Sequence, residues 1–191
     1  IDTTHPDFSG RLLPGYNYIG IGNPPMRDGF GHGTHVAGIL AAGLNDAVGV
    51  VGVAPEVKIA PYRVLDDAGS GTIANVAAGL VAAANDGAQI INMSLTTGSP
   101  STTLQNAVEY AASQGALLLA AAGNGGAGAV YWPAAYPEVM AVAALDYNDH
   151  RTAYSNYGPQ IEIAAPGGDL FLHKVFSTWS NDALARCAPA D

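Results

Sequence analysis

The run His32-Gly33-Thr34-His35-Val36-Ala37-Gly38 sets an imidazole at the entrance to an Ala- and Val-rich stretch, beside a glycine. A histidine held there by a helix suits general-base work, and the glycine lets backbone and substrate approach. The plainer readings are two structural histidines or a weak His-x-x-His metal pair. Gly123-Asn124-Gly125-Gly126-Ala127-Gly128 satisfies the dinucleotide pattern G-x-G-x-x-G and follows an apolar run. That chemistry needs a helix next, to hold a pyrophosphate at its N-terminus. Pro133 and Pro137 follow instead, with Tyr131 and Trp132, so dinucleotide binding is disfavoured and Asn124 reads first as a turn residue. Gly69-Ser70-Gly71 reads as a Gly-rich turn, and Asn45-Asp46 as an exposed turn.

The elements that must carry these residues alternate. Residues 1–31 are rich in Gly, Pro and Asp and read as loop, with a short strand around 16–21. Residues 34–44 read as a buried helix, and 57–65 as a strand. Ile73, Val76, Ala77, Leu80, Val81 and Ala84 fall at helical spacing, with Gly87 as the cap. Residues 88–95 form a short apolar run that reads as a strand buried on both faces. The next helix starts near 101–102, where Thr102 and Gln105 fit a capping box. Its apolar stripe is Leu104, Ala107, Val108 and Ala111, and Gly115 ends it. Residues 116–122, 139–145 and 160–164 read as further strands. Strand and helix in short alternation imply right-handed crossovers and a parallel sheet. Such sheets set their chemistry at the carboxyl ends of strands, here residues 92–97, 123–128 and 166–169.

Composition bounds the rest. The chain has 191 residues, 49% of them hydrophobic and 12% charged, which suits one globular domain over 1–191. The formal net charge of −9 disfavours nucleic acid and anionic membranes as partners. The single cysteine, Cys187, excludes an internal disulfide and a cysteine metal cluster. No apolar run approaches the ~18 residues of a membrane span. The chain begins with Ile1, not Met, so a missing signal peptide carries little meaning.

The histidine motif resembles the catalytic-histidine motif of the subtilisin-like serine proteases, and further matches follow in that family's chain order. Ile1-Asp2-Thr3-Thr4-His5-Pro6-Asp7-Phe8 resembles the segment just after the catalytic aspartate. Asn92-Met93-Ser94-Leu95 resembles the strand lining the primary specificity pocket. Ala121-Ala122-Gly123-Asn124 resembles the segment of the oxyanion-hole asparagine, and Ala165-Pro166-Gly167 a loop before the nucleophile. Five matches in order, reaching Trp179, are specific. They imply a three-layer α/β/α fold with a mainly parallel sheet and peptide-bond hydrolysis through an Asp/His/Ser triad. They also imply His32 as base, His35 as structural and Asn124 as oxyanion donor. Gly69, Ser70 and Gly71, with Ser94, Leu95 and Thr96, would hold an extended polypeptide substrate between two strands. Residues 44–50 resemble the calcium loop. Asp7 and Asp46 would give Ca²⁺ carboxylates, and Leu44, Val48 and Val50 carbonyl oxygens. The resemblance further implies a secreted monomer made with its own pro-segment.

The departures matter as much. The family's aspartate falls upstream of Ile1. Asp2-Thr3-Thr4 imitates Asp-Thr-Gly, but it lacks the glycine, and His5-Pro6-Asp7 follows too soon. The nucleophile motif Gly-Thr-Ser is nowhere in the chain, and residues 181–191 match nothing in the family. Thr96 and Thr97 stand where many relatives have glycines, which leaves the P1 preference open. A catalytically dead relative that binds peptides or partners is the alternative reading; His32 and Asn124, both in place, argue against it. Without a serine nucleophile no acyl-enzyme forms, so the pure chain is expected to leave peptide esters uncleaved. A burst of ester hydrolysis by it would contradict this.

Overall fold

The computed structural model describes residues 1–44, 47, 49–169 and 173–187, with the side chains of 185–187 left aside. It divides into two compact units, Ile1–Gly79 with Phe176–Asp191, and Leu80–Val175.

In the first unit a 3-10 turn spans Pro6–Phe8. Strands β1 (Tyr16–Asn17) and β2 (Tyr62–Arg63) pair in parallel, Tyr16 opposite Tyr62. These strands are shorter than the sequence suggests. The pairing of residues around them continues only as an isolated bridge, Leu12 to Ile59. Helix α1 (His32–Ala41) buries Thr34, Ala37, Gly38 and Ala41. Gly38 admits a very close neighbour: a Cβ there would lie 2.3 Å from the hydroxyls of Ser177 and Thr178. Those hydroxyls donate to the carbonyls of His35 (2.6 Å) and Thr34 (2.7 Å), fixing residues 177–178 along the helix. A short helix, Asn181–Cys187, is the last described element of this unit. The boundary between the units falls within α2 (Ile73–Asn85).

The second unit holds a four-stranded parallel sheet in the order β3-β4-β5-β6. The strands are β3 (Ile90–Met93), β4 (Leu117–Ala121), β5 (Val139–Leu145) and β6 (Ile161–Pro166). Helix α3 (Thr102–Ser113) connects β3 to β4 and buries Leu104, Ala107, Val108 and Ala111, the predicted stripe. With Leu118 and Ala141, both fully buried, these residues form the unit's core. Two expectations need correction. β3 is not buried on both faces: Ile90 (63% exposed) and Asn92 lie exposed on one face, while Met93 is buried on the other. The cap of α3 is Ser101, not Thr102; the Ser101 hydroxyl accepts from the Leu104 amide. A serine in extended geometry one residue earlier serves the N3 amide equally well, so Gln105 instead donates to Glu109.

Candidate active site

His32 is the first helical residue of α1. Gly31 precedes it as the N-cap with φ +90°, a conformation that favours glycine. A Cβ there would also lie 2.6 Å from the Trp179 ring. A glycine cap has no side chain to bind the orphan amides of the first turn. Asp28 binds them instead. Its Oδ1 accepts from the Gly31 amide at 2.7 Å, and its Oδ2 from the Thr34 amide at 2.8 Å and hydroxyl at 2.6 Å. The Thr34 hydroxyl also accepts from the Asp2 amide at 2.8 Å. Asp2 is held in turn by Thr4 and by the Asn181 amide.

The His32 ring is solvent-exposed at its outer face, 6.4 Å centroid to centroid from Phe30. The Phe30 ring covers Gly69, where a Cβ would meet it at 2.9 Å. Phe30 thus brings the segment Gly69-Ser70-Gly71 beside the histidine. That segment is set by a turn in which Asp66 Oδ1 accepts from the Ala68 and Ser70 amides. Partial burial lowers the His32 pKa, Asp28 opposes this, and His35 adds to it. The ring is therefore neutral at pH 7 and able to accept a proton.

Asn124 lies in the second unit, exposed, just past the carboxyl end of β4. Its loop is pinned by Asn156, which is fully buried. Asn156 Oδ1 accepts from the amides of Gly125 (2.9 Å) and Ala127 (3.1 Å), and its Nδ2 donates to the Ala122 carbonyl at 3.2 Å. The Asn156 amide closes the set by donating to the Gly123 carbonyl at 2.9 Å. No helix follows Gly128; turns and bends lead to Tyr131 and Trp132, so the loop lacks the pyrophosphate seat of a dinucleotide site. Ser94, Leu95 and Thr96 continue from β3, and Thr97 then pairs antiparallel with Trp132.

Asp7 is the one orphaned carboxylate found among the described residues. Both oxygens are buried without a hydrogen-bond partner, and a Cβ on Gly49 would lie within bonding range of one of them. A buried charge without a partner is strongly unfavourable, so this carboxylate fits a cation. Leu44 and Val50 lie in the described part of the neighbouring loop; Asn45, Asp46 and Val48 lie outside the described residues.

Sequence reading singled out neither Asp28 nor Asn156. Asp28 is close enough to the histidine motif to have been suspected. Asn156 had no signal, because the amides it binds lie about thirty residues upstream, at |i−j| of 31 and 29.

Parallel sheets with helices define an α/β fold, in which a histidine opens α1 and an asparagine loop follows β4. Solved structures agree. Sphericase matches with TM-score 0.80 and 34% identity, over 96% of this chain and 69% of that one. The S41 psychrophilic protease matches with TM-score 0.79 and 31% identity, over 96% and 69%. The subtilase family model matches residues 1–188, and the chain belongs to that family. Subtilisin Savinase of Lederbergia lenta is 47% identical over 94% of this chain and 65% of its own length. A thermophilic serine proteinase of Bacillus sp. (strain AK1) is 45% identical over 89% of this chain and 42% of its own length. Thermitase of Thermoactinomyces vulgaris is 40% identical over 95% and 64%. The chain thus spans roughly two fifths to two thirds of these relatives.

The carboxylates of Asp2 and Asp28 give the first unit a defined response to pH. Burial pushes both up. Hydrogen bonds outweigh it: Thr4 and the Asn181 amide at Asp2, Thr34 and Gly31 at Asp28. Both pKa values therefore end below the ordinary value. Groups lowered on folding stabilise above their unfolded pKa, about 3.9 for Asp, and lose that contribution as pH falls through the folded value. His32, whose pKa is also lowered, has the same sign, and its contribution is lost as pH drops below about 6.5. Urea unfolding followed against pH is expected to show stability falling as pH drops through the imidazole range and again below the carboxylate range. Stability that rises on acidification from pH 4 would contradict it.

Proposed function

We propose that the parent of this chain is a serine endopeptidase that hydrolyses polypeptides by acyl transfer. His32 is its general base and Asn124 its oxyanion donor. The orienting aspartate and the serine come from sequence beyond these residues. The observation that carries the reading is the His32 motif itself: a neutral imidazole, exposed on one face, at the head of a rigidly held helix. As the serine oxygen bonds to the scissile carbonyl carbon, His32 takes the hydroxyl proton. It then delivers that proton to the leaving amine. The Asn124 amide N–H donates to the oxygen that becomes negative in the tetrahedral intermediate. Gly69, Ser70, Gly71, Ser94, Leu95 and Thr96 bind the substrate main chain. The 191 residues form one peptidase domain. By family likeness the parent is a secreted monomer that meets its own pro-segment.

The test is kinetic. The chain expressed with its flanking sequence should cleave a peptide ester with a burst. The variant His32→Ala should reduce kcat by about six orders of magnitude, as for the triad histidine of a subtilisin. Asn124→Ala should reduce it by about 10²–10³, a magnitude itself established on a subtilisin. Full activity in His32→Ala would overturn the reading.

Ca²⁺ belongs to the same proposal as a structural ion. Asp7 would hold it, with carbonyls of Leu44 and Val50, and Asp46 and Val48 as the remaining expected ligands. Its role is to neutralise a buried charge, and it takes no part in the reaction. Calcium at a hundredfold excess over Kd would stabilise by about 2.7 kcal/mol. Chelation is expected to lower Tm, and Asp7→Asn to remove that dependence. A Tm indifferent to calcium in the unmodified chain would contradict the assignment.

A further inference from the structure

Resting on the reading of His32 as general base, we propose that Asp28 is the residue that positions it. Its carboxylate replaces the cap side chain that α1 lacks and, through Thr34, fastens the helix to the segment at Asp2.

Two demands conflict at the head of α1. Gly31 must be glycine, because its φ is +90° and the Trp179 ring occupies the space of a Cβ. It therefore cannot cap. The N3 amide, which a cap side chain normally binds, belongs to Thr34. Asp28 supplies the missing acceptor from three residues before the cap, and one carboxylate serves both Gly31 and Thr34. His32 lies between those two residues, so the backbone that carries the imidazole is clamped on either side.

The clamp also has a direction. The Thr34 hydroxyl donates to Asp28 and accepts from the Asp2 amide, so each group has one role and no alternative orientation. Thr34 is wholly buried and Asp28 is 7% exposed, which keeps water from competing for these bonds. In the proposed triad the aspartate precedes Asp2 in the chain. The Asp2–Thr34–Asp28 chain therefore ties the segment at Asp2 to the helix that carries His32.

The carboxylate acts through charge as well. Other groups facing this region are His35 on α1, Asp2, Arg63 on β2, and Asp182, whose Oδ2 accepts from the Asp28 amide; in the 191-residue chain used for the test the Ile1 amino group also lies 4.0 Å from Asp28. Of the charges acting on the His32 ring, Asp28 is the largest and the one that favours its protonation. It thus keeps the base from becoming too weak as burial disfavours the imidazolium.

The test is an NMR titration of the imidazoles in the 191-residue chain, compared with Asp28→Asn and Thr34→Ser. Asp28→Asn keeps the shape and removes the charge. The His32 midpoint is expected to fall, and the Gly31 and Thr34 amides to exchange about tenfold faster, the change for a hydrogen bond worth about 1.4 kcal/mol. His150, in the other unit, should be unmoved. Thr34→Ser keeps the hydroxyl and the Asp28 charge and should leave the midpoint at its wild-type value. A folded Asp28→Asn chain with an unchanged His32 midpoint would overturn the proposal. Should Asp28→Asn not fold, exchange in the unmodified chain decides. Protection of Gly31 and Thr34 should vanish as Asp28 is protonated, and its persistence would overturn the proposal. None of these readouts needs peptide hydrolysis, so failure of the peptidase reading and failure of this one are told apart.

Discussion

A buried carboxylate meeting the orphan amides of one helix is the constraint on which the first unit depends. An Asp without such partners would be unstable in that interior. With Gly31, Thr34 and the Thr34 hydroxyl bound to it, Asp28 stays ionised and the helix starts at a defined residue. Everything the unit offers to chemistry follows from that start. His32 opens α1, Trp179 packs over Gly31, and residues 177–178 run along the helix because Gly38 leaves room for them.

The second unit solves the same problem with a neutral group. In the proposed role Asn124 is exposed while its loop is held fixed. Asn156 holds the loop from beneath with one amide group, donating on one side and accepting twice on the other. Each unit therefore holds an exposed side chain proposed for catalysis beside a buried polar residue that is hydrogen-bonded to the surrounding backbone. Such frames are costly to break, because every partner left behind is a buried group without a bond.

What the sequence made legible was the part written in local pattern. The apolar stripe of α3 and the full span of β5 were readable because their periodicity is set by a neighbouring layer. The histidine and asparagine motifs were readable because their spacing is contiguous. What was not readable depended on distant partners. β3 looks buried on both faces from its apolar run, but which face is covered depends on what packs against it from elsewhere in the chain, and Ile90 and Asn92 stand on an exposed face. Thr102 fits the capping box as a string, yet Ser101 takes the role, since strings do not fix where the backbone turns extended. Asn156 gave no signal because its partners lie in another part of the chain, whereas Asp28 was missed although it stands beside the motif.

The central claim is that these residues carry the base and the oxyanion donor of a triad peptidase whose aspartate and serine are encoded alongside. Reading the coding DNA on both sides of the segment, in all frames, tests it most directly. The account predicts Asp-Thr-Gly just before Ile1 and Gly-Thr-Ser beyond Trp179. An intact reading frame with neither motif would contradict it and make His32 and Asn124 parts of a protein that binds without cleaving.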